Sequence, residues 1–403
     1  MPIKLRPIQP MPAAHGGQAG FVLRDPLALS DKTLFVPREL APILSLCDGS
    51  RDIPGLQATL MVQFGLRVPL DLLSQLVEQL DQACLLENDR SAAAHDSALI
   101  AYRQAPCRLP TLADKSYPAE PEALTAFFTH FETQLTPDDR ASPADAGVRG
   151  VVCPHIDYPR GGRVYAGLWQ RAAQAAQAAE LILVLGTDHN GGGLISLTRQ
   201  DYATPWGVLP TCQQTVDALA QAIGEREAFR HELHHRAEHS IELAVVWLHA
   251  VLGNRTPRLL PILLGSFQRF VQDQQEPAEH PQLAAAVETL QHIARKQRTL
   301  VIAAADLAHV GPAFGGLPLD FARRAQLRRA DEQLLQAICL GDAAATFDQI
   351  RAEGDRRNIC GLPPIYLTLR ILGQTHGQIT GYEMCPADAA NTSSVSVAGV
   401  LLW

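Results

Sequence analysis

The sequence predicts an α/β fold, layered around a mostly parallel or mixed sheet and preceded by a small, mainly helical winged-helix-like domain. Three observations predict it. Short apolar runs recur between residues 150 and 304, apolar residues at helical spacing fill the stretches between them, and the first hundred residues carry chiefly helical spacing. Short apolar runs bounded by turn residues are the pattern of strands buried on both faces. Strands alternating with helices give a layered α/β architecture. The length of 403 residues asks for more than one domain, because single cores stop growing near ~250–300 residues.

Residues 1–20, rich in Pro, Gly and Ala, read as an irregular lead-in. Residues 21–88 read as one module. Its first helix carries Leu40, Ile43, Leu44 and Leu46 on one face and stops at Asp48-Gly49. A second follows with Ser50 as N-cap and Ile53, Leu56, Leu60 and Phe64 at helical spacing. A third carries Leu72, Leu73, Leu76, Val77 and Leu80 and runs into a short strand at Cys84–Glu87. Three helices ending in a strand suggest a winged helix, and the pattern resembles peptide-chaperone proteins of the PqqD type. The resemblance implies a module that docks a peptide or a partner; packing or oligomerisation is the alternative. DNA binding is disfavoured, because residues 1–100 hold 8 Lys+Arg against 11 Asp+Glu. Residues 89–108, small and polar, read as a linker.

The larger domain, 109–403, supplies strands at Gly150–Cys153, Leu181–Leu185, Arg258–Leu264 and Thr299–Ala304. Helices are predicted over Tyr165–Ala179, Thr215–Ile223, Ile241–Leu252, Gln282–Lys296 and Leu319–Leu340, with another at Ile365–Leu372. No apolar stretch approaches the ~20 residues needed to span a bilayer, and the first residues lack a signal-peptide pattern, so a cytoplasmic protein is expected. The net charge of −8 gives no basic footprint for nucleic acid. The eight cysteines show no CxxC pairing and read as reduced thiols.

The polar residues that carry chemistry follow the strands. Gly150–Cys153 leads to His155, Leu181–Leu185 to Asp188 and His189, and Thr299–Ala304 to Asp306 and His309. Ligands gather at the carboxyl ends of such strands. One histidine there is ordinarily structural; three, with two carboxylates, point to a metal-type site. Glu238 and His239 open a helix and are candidates to line the cleft, with His239 or Ser240 as its cap. Glu242 reads as a first-turn acid and His231, His234 and His235 as surface residues. Cys360 sits in a Gly/Pro-rich elbow before a helix, where the helix amino end favours a thiolate that can ligate or attack.

The segments LADKSYPAEPEAL, VVCPHIDY, VLGTDHN, EHSIE, AADLAH, ICGLPPI and SSVSVAGVLL, in this order, resemble the Memo family, whose bacterial members are called AmmeMemoRadiSam system protein B. The resemblance covers Leu109 to Trp403. It implies a fold similar to the class III extradiol dioxygenases, with His155, His189 and Cys360 as metal ligands and Asp306 and His309 close by. Two departures, Asp157 and Asp188 at positions that are ordinarily uncharged, are expected to alter the charge of the site.

The function expected is that of a metal-dependent, dioxygenase-like oxidoreductase acting on a small molecule or peptide. Its metal would be iron or copper, with zinc as the remaining option, since a cysteine ligand favours softer ions. Proton transfer would fall to His309, Asp306, His239 or Glu238. The competing expectation is a non-catalytic adaptor for a radical-SAM partner of the same system. A hydrolytic zinc site ranks third, because no HExxH motif is present.

Overall fold

The computed structural model describes residues 2–136 and 147–403. The chain divides into two compact units, Met1–Ala105 and Pro106–Trp403.

The smaller unit begins with strands, not with an irregular lead-in. β1 (Gln9–His15), β2 (Gln18–Arg24) and β3 (Leu34–Pro37) form an antiparallel meander. The β1–β2 turn is Gly16-Gly17, with φ +57° and +80°. Two consecutive positive-φ residues make the tight hairpin turn that glycine pairs favour. Helices α1 (Pro42–Leu46), α2 (Ile53–Phe64), α3 (Leu70–Gln82) and α4 (Asp89–Gln104) follow. Leu23, Val36, Ile43, Leu56, Leu60, Leu73 and Leu80 close one core.

Four details of the sequence reading change here. The cap of α2 is Asp52, whose carboxylate accepts from the Gly55 N–H at 2.9 Å, and not Ser50. Phe64 and Leu72 lie outside the core, 45% and 44% exposed. Among the described residues Cys84–Glu87 forms no strand of a sheet; an isolated bridge pairs Leu86 with Leu5. Residues 89–104 are a helix, not a linker. Their alanines carry strong intrinsic helix preference without an apolar stripe, and a capping box between Asn88 and Ser91 starts the helix (3.1 and 3.2 Å). In the observed unit the sheet precedes the helices, an order the winged-helix expectation did not contain.

In the larger unit α5 (Pro121–Thr133) leads to β4 (Gly150–Cys153), α6 (Tyr158–Ala178) and β5 (Leu181–Thr187). Three short strands, β6 (Ile195–Leu197), β7 (Tyr202–Thr204) and β8 (Gly207–Leu209), precede α7 (Gln213–Ile223) and α8 (Glu225–Phe229). Then come α9 (His239–Leu252), β9 (Arg258–Leu264), α10 (Gln268–Gln272), α11 (Pro281–Lys296), β10 (Thr299–Ala304) and β11 (His309–Val310). The chain closes with α12 (Phe321–Cys339), α13 (Ala343–Ala352), α14 (Leu362–Leu372), β12 (Gly377–Pro386) and β13 (Ser394–Leu402).

The main sheet runs β11-β13-β4-β10-β5-β9-β6, with β12 also paired to β13. Its four middle strands, β4, β10, β5 and β9, are parallel; the flanking pairings are antiparallel. Each strand is buried on both faces because its side chains alternate between two helical layers. Leu181, Leu183 and Leu185 of β5 join Val301 and Ala303 of β10 against α7, α11 and α14. Ile182, Val184, Leu300 and Ile302 face the opposite layer, α5, α6 and α9. Truncating one of these, as in Leu183→Ala, costs about 2–5 kcal/mol.

The fold places β10 between β4 and β5, so three strands that are distant in sequence end side by side. Ala304 of β10 lies opposite Cys153 of β4 on one side and Gly186 of β5 on the other. His155, Asp306 and His189 therefore leave the sheet at one level.

Candidate metal centre

The centre begins as a way of ending three strands. Past Ala304, Asp306 turns its carboxylate back toward β4, where Oδ1 accepts from the backbone N–H groups of His155 (2.8 Å) and Ile156 (3.2 Å). His155 is 1% exposed, and its Nδ1 donates to the Ala304 carbonyl at 2.9 Å. A carbonyl can only accept, so Nδ1 carries a proton and Nε2 is left as the donor atom. Asp306, expected to move protons, works first as a clamp on the backbone that presents His155. Its Oδ2 also stands 3.7 Å from His155 Nε2.

The second wall is the start of α9. Its cap is Glu238, not His239 or Ser240: Glu238 Oε1 accepts from the N–H groups of His239 (2.8 Å) and Ser240 (3.0 Å). The same carboxylate accepts from the His189 N–H (2.9 Å) and Nδ1 (3.0 Å), and stands 3.1 Å from His239 Nδ1. One buried carboxylate thus orients two imidazoles. Burial opposes its charge, but the neighbouring His189 and His239 hold its pKa well below the usual carboxylate range.

Glu242, one turn further on, is more than a first-turn acid. It is ion-paired with Arg108, fully buried, and accepts from the Tyr117 hydroxyl (2.6 Å) and the Thr111 and Leu112 N–H groups (2.9 and 2.8 Å). The Arg108 guanidinium also donates to the carbonyls of Glu238 (2.7 Å) and His235 (3.0 Å). Removing one partner of such a pair strands a buried charge, so this network fixes the backbone from which Glu238 and His239 project. Arg108, placed in a linker on sequence grounds, is an anchor of the site.

The third wall arrives from the opposite layer. Cys360 lies just before Gly361, the N-cap of α14, and its Sγ lies 3.2 Å from His155 Nε2. The approach needs Gly361: a Cβ there would stand 2.3 Å from the Asp306 carbonyl oxygen. Burial raises the Cys360 pKa, but His155, hydrogen bonds from His155 and His189, and the charge of His309 bring it down to about 5. Burial lowers His155, yet Asp306 and Cys360 raise it to about 9. Between those values the metal-free pair is a thiolate and an imidazolium.

Together the three walls place one ligand atom each of His155, His189 and His239 within 4.8 Å of one another. The rings of His155 and His189 meet edge-on with centroids 5.1 Å apart; those of His189 and His239 stack at 4.8 Å. Every imidazole has its Nδ1 engaged by an oxygen, the arrangement that orients histidines around metals. The donor set therefore fits a transition ion. His239, expected to line the cleft or move protons, joins the group that could hold a metal ion, and Cys360 adjoins it through His155. A histidine directly after the acidic cap of an apolar helix was the available signal.

The remaining expectations sort differently. His309 stands outside the three-imidazole group, with its ring against Phe314 at 5.2 Å and Nδ1 3.2 Å from the Leu307 carbonyl. Asp157 does not charge the site: it caps α6 and pairs with Arg160 at 2.5 Å. Asp188 is taken by His234 at 2.7 Å. His234 and His235 are 7% and 0% exposed, not surface residues, because the turn at 232–236 (Glu232–Arg236) packs under the loop that carries His189.

Comparison with known proteins gives a consistent answer. The Memo-like protein family matches residues 108–401. A MEMO1 family protein of Aquifex aeolicus is 24% identical over 397 residues, 95% of this chain and 96% of the relative. One from Thermus thermophilus is 27% identical over 361 residues, 87% of this chain and 99% of the relative. Spans of that length enter the smaller unit as well as the larger. A memo-1 homologue of Caenorhabditis elegans is 26% identical over 245 residues, covering 58% of this chain and 63% of the relative.

Proposed function

The chain belongs to the Memo-like protein family, and from that premise we propose that it binds a transition metal through His155, His189 and His239 and acts as a metal-dependent oxidoreductase on a small substrate. The observation that carries the reading is the convergence of three imidazoles, each with its Nδ1 held by an oxygen. Iron or copper held there would supply Lewis acidity and one-electron redox chemistry. Cys360 stands ready as a further, soft donor, and two helix amino ends, those of α9 and α14, favour negative charge at the same point.

The chain's own residues have separable tasks. Glu238 holds two imidazoles in the tautomer that directs Nε2 inward. Asp306 fixes the backbone of His155 and stands near its Nε2. His309, half-buried at the start of β11 and near enough to Cys360 to favour its thiolate, would take or give a proton at the substrate.

The test is elemental analysis of anaerobically purified protein followed by X-ray absorption at the metal edge. The expected result is one equivalent of iron or copper, with a first shell of imidazole nitrogens. Protein whose metal content is unchanged by the His155→Ala/His189→Ala double substitution would overturn the assignment.

A further inference from the structure

The smaller unit holds a groove that the metal centre does not use. Residues 2–4, the start of α2, the middle of α3 and the residues before α4 enclose about 730 Å³. The groove has an apolar floor of Ile3, Ile53, Val77 and Leu86. Its rim is of one sign: Asp52, Glu78, Asp81, Glu87 and Asp89 line it, against Lys4 as the single basic residue. Five of the 11 acidic residues of the first hundred therefore border one cavity.

Local structure accounts for part of this charge. Asp52 caps α2, Asp81 receives Asn88 (2.7 Å) and Arg90 (2.9 Å), and Lys4 pairs with Glu87 at 2.6 Å. Glu78 accepts along its own helix from Gln82 at 3.1 Å, and Glu78, Glu87 and Asp89 are exposed. A concave apolar floor rimmed by carboxylates rejects nucleic acid and anionic lipid. It complements a chain that offers apolar side chains between arginines or lysines.

We propose that this groove is a docking site for a basic, amphipathic peptide segment of a partner protein. Leucine-like side chains would fill the floor over Val77 and Ile53, and flanking guanidinium or ammonium groups would pair with Glu78, Glu87 and Asp89. The proposal is independent of the metal assignment, since every residue it uses lies in the smaller unit.

The probe is a fluorescent 14-residue peptide of leucine and arginine, titrated against the full chain by anisotropy. Two control peptides carry glutamate for arginine, or serine for leucine. Saturable binding of the leucine–arginine peptide is expected, with both controls weakened about ten-fold or more and affinity falling as salt rises past the screening range. Glu78→Lys/Glu87→Lys should weaken it about ten-fold or more. Glu39→Lys, an exposed charge reversal in the same unit outside the groove, should leave it unchanged and controls for folding. Three results would overturn the proposal: no saturation at millimolar peptide, equal binding of the glutamate peptide, or equal loss with Glu39→Lys.

Discussion

Two groups of three histidines lie close together in the larger unit, and one buried member of each, His155 and His235, shows how they differ. His155, His189 and His239 each have Nδ1 beside an oxygen, and His155 turns Nε2 to Cys360 Sγ at 3.2 Å. His235, from the neighbouring group of His231, His234 and His235, spends both nitrogens inside the protein. It accepts from the Tyr202 hydroxyl at Nδ1 (2.8 Å) and donates to the Ser196 carbonyl through Nε2 (3.0 Å). Burial pushes its pKa down to about 3, so it is neutral. His234 is held by Asp188. The difference teaches that burial does not identify a ligand: His155 and His235 are both buried. What the second ring nitrogen faces separates them: Cys360 Sγ at 3.2 Å for His155, the Ser196 carbonyl at 3.0 Å for His235.

Substitutions on each side of that comparison can break it. The largest effect expected is loss of all bound metal from the His155→Ala/His189→Ala variant, read by elemental analysis after dialysis, while His235→Phe stays loaded. Next is the reactivity of Cys360 in metal-free protein. With its pKa lowered to about 5, the thiol should alkylate at a rate that is flat near neutrality and falls as pH drops through that value. In His155→Phe the thiol returns toward its ordinary pKa of ~8.5, so only about 1% is thiolate at pH 6.5, and alkylation there should slow about 100-fold. Unchanged kinetics would mean that His155 does not set the charge of the sulfur.

Smaller effects sharpen the same contrast. Glu238→Gln should weaken metal binding about 10–100-fold, as loss of an orienting partner does, with about 1 kcal/mol lost from the helix cap. A competition titration with a chelator measures the first and thermal unfolding the second. His235→Phe should do the reverse. It removes the bonds to the Ser196 carbonyl and the Tyr202 hydroxyl, costing about 1–3 kcal/mol of stability, with metal affinity retained. A His235→Phe variant that lost metal as well as stability would erase the distinction between the two groups.

What could be read in advance follows the same physics. β4, β9 and β10 were legible to the residue, because strands buried on both faces are continuous apolar runs. β5 extends two residues further, through Gly186 and Thr187, because its pairing with β9 continues to Leu264. β13 was missed as a strand although all nine residues are buried: its serines and glycine interrupt the apolar run. β12 alternates too weakly to announce itself. In the centre, the strand-end residues His155, His189 and Asp306 were visible because each follows its own apolar run. His239 and Glu238 were visible only as cleft candidates. Their roles depend on α9 packing against β5, which no local pattern encodes. Arg108 was hidden for the same reason, since its partners lie more than a hundred residues away.

Glu238 carries a consequence for how such a centre can change over time. Because one carboxylate serves His189 and His239 together, the site has a single point of failure. A change at Glu238 would release both imidazoles and the cap of α9 in one step. Loss of function by that route should be abrupt.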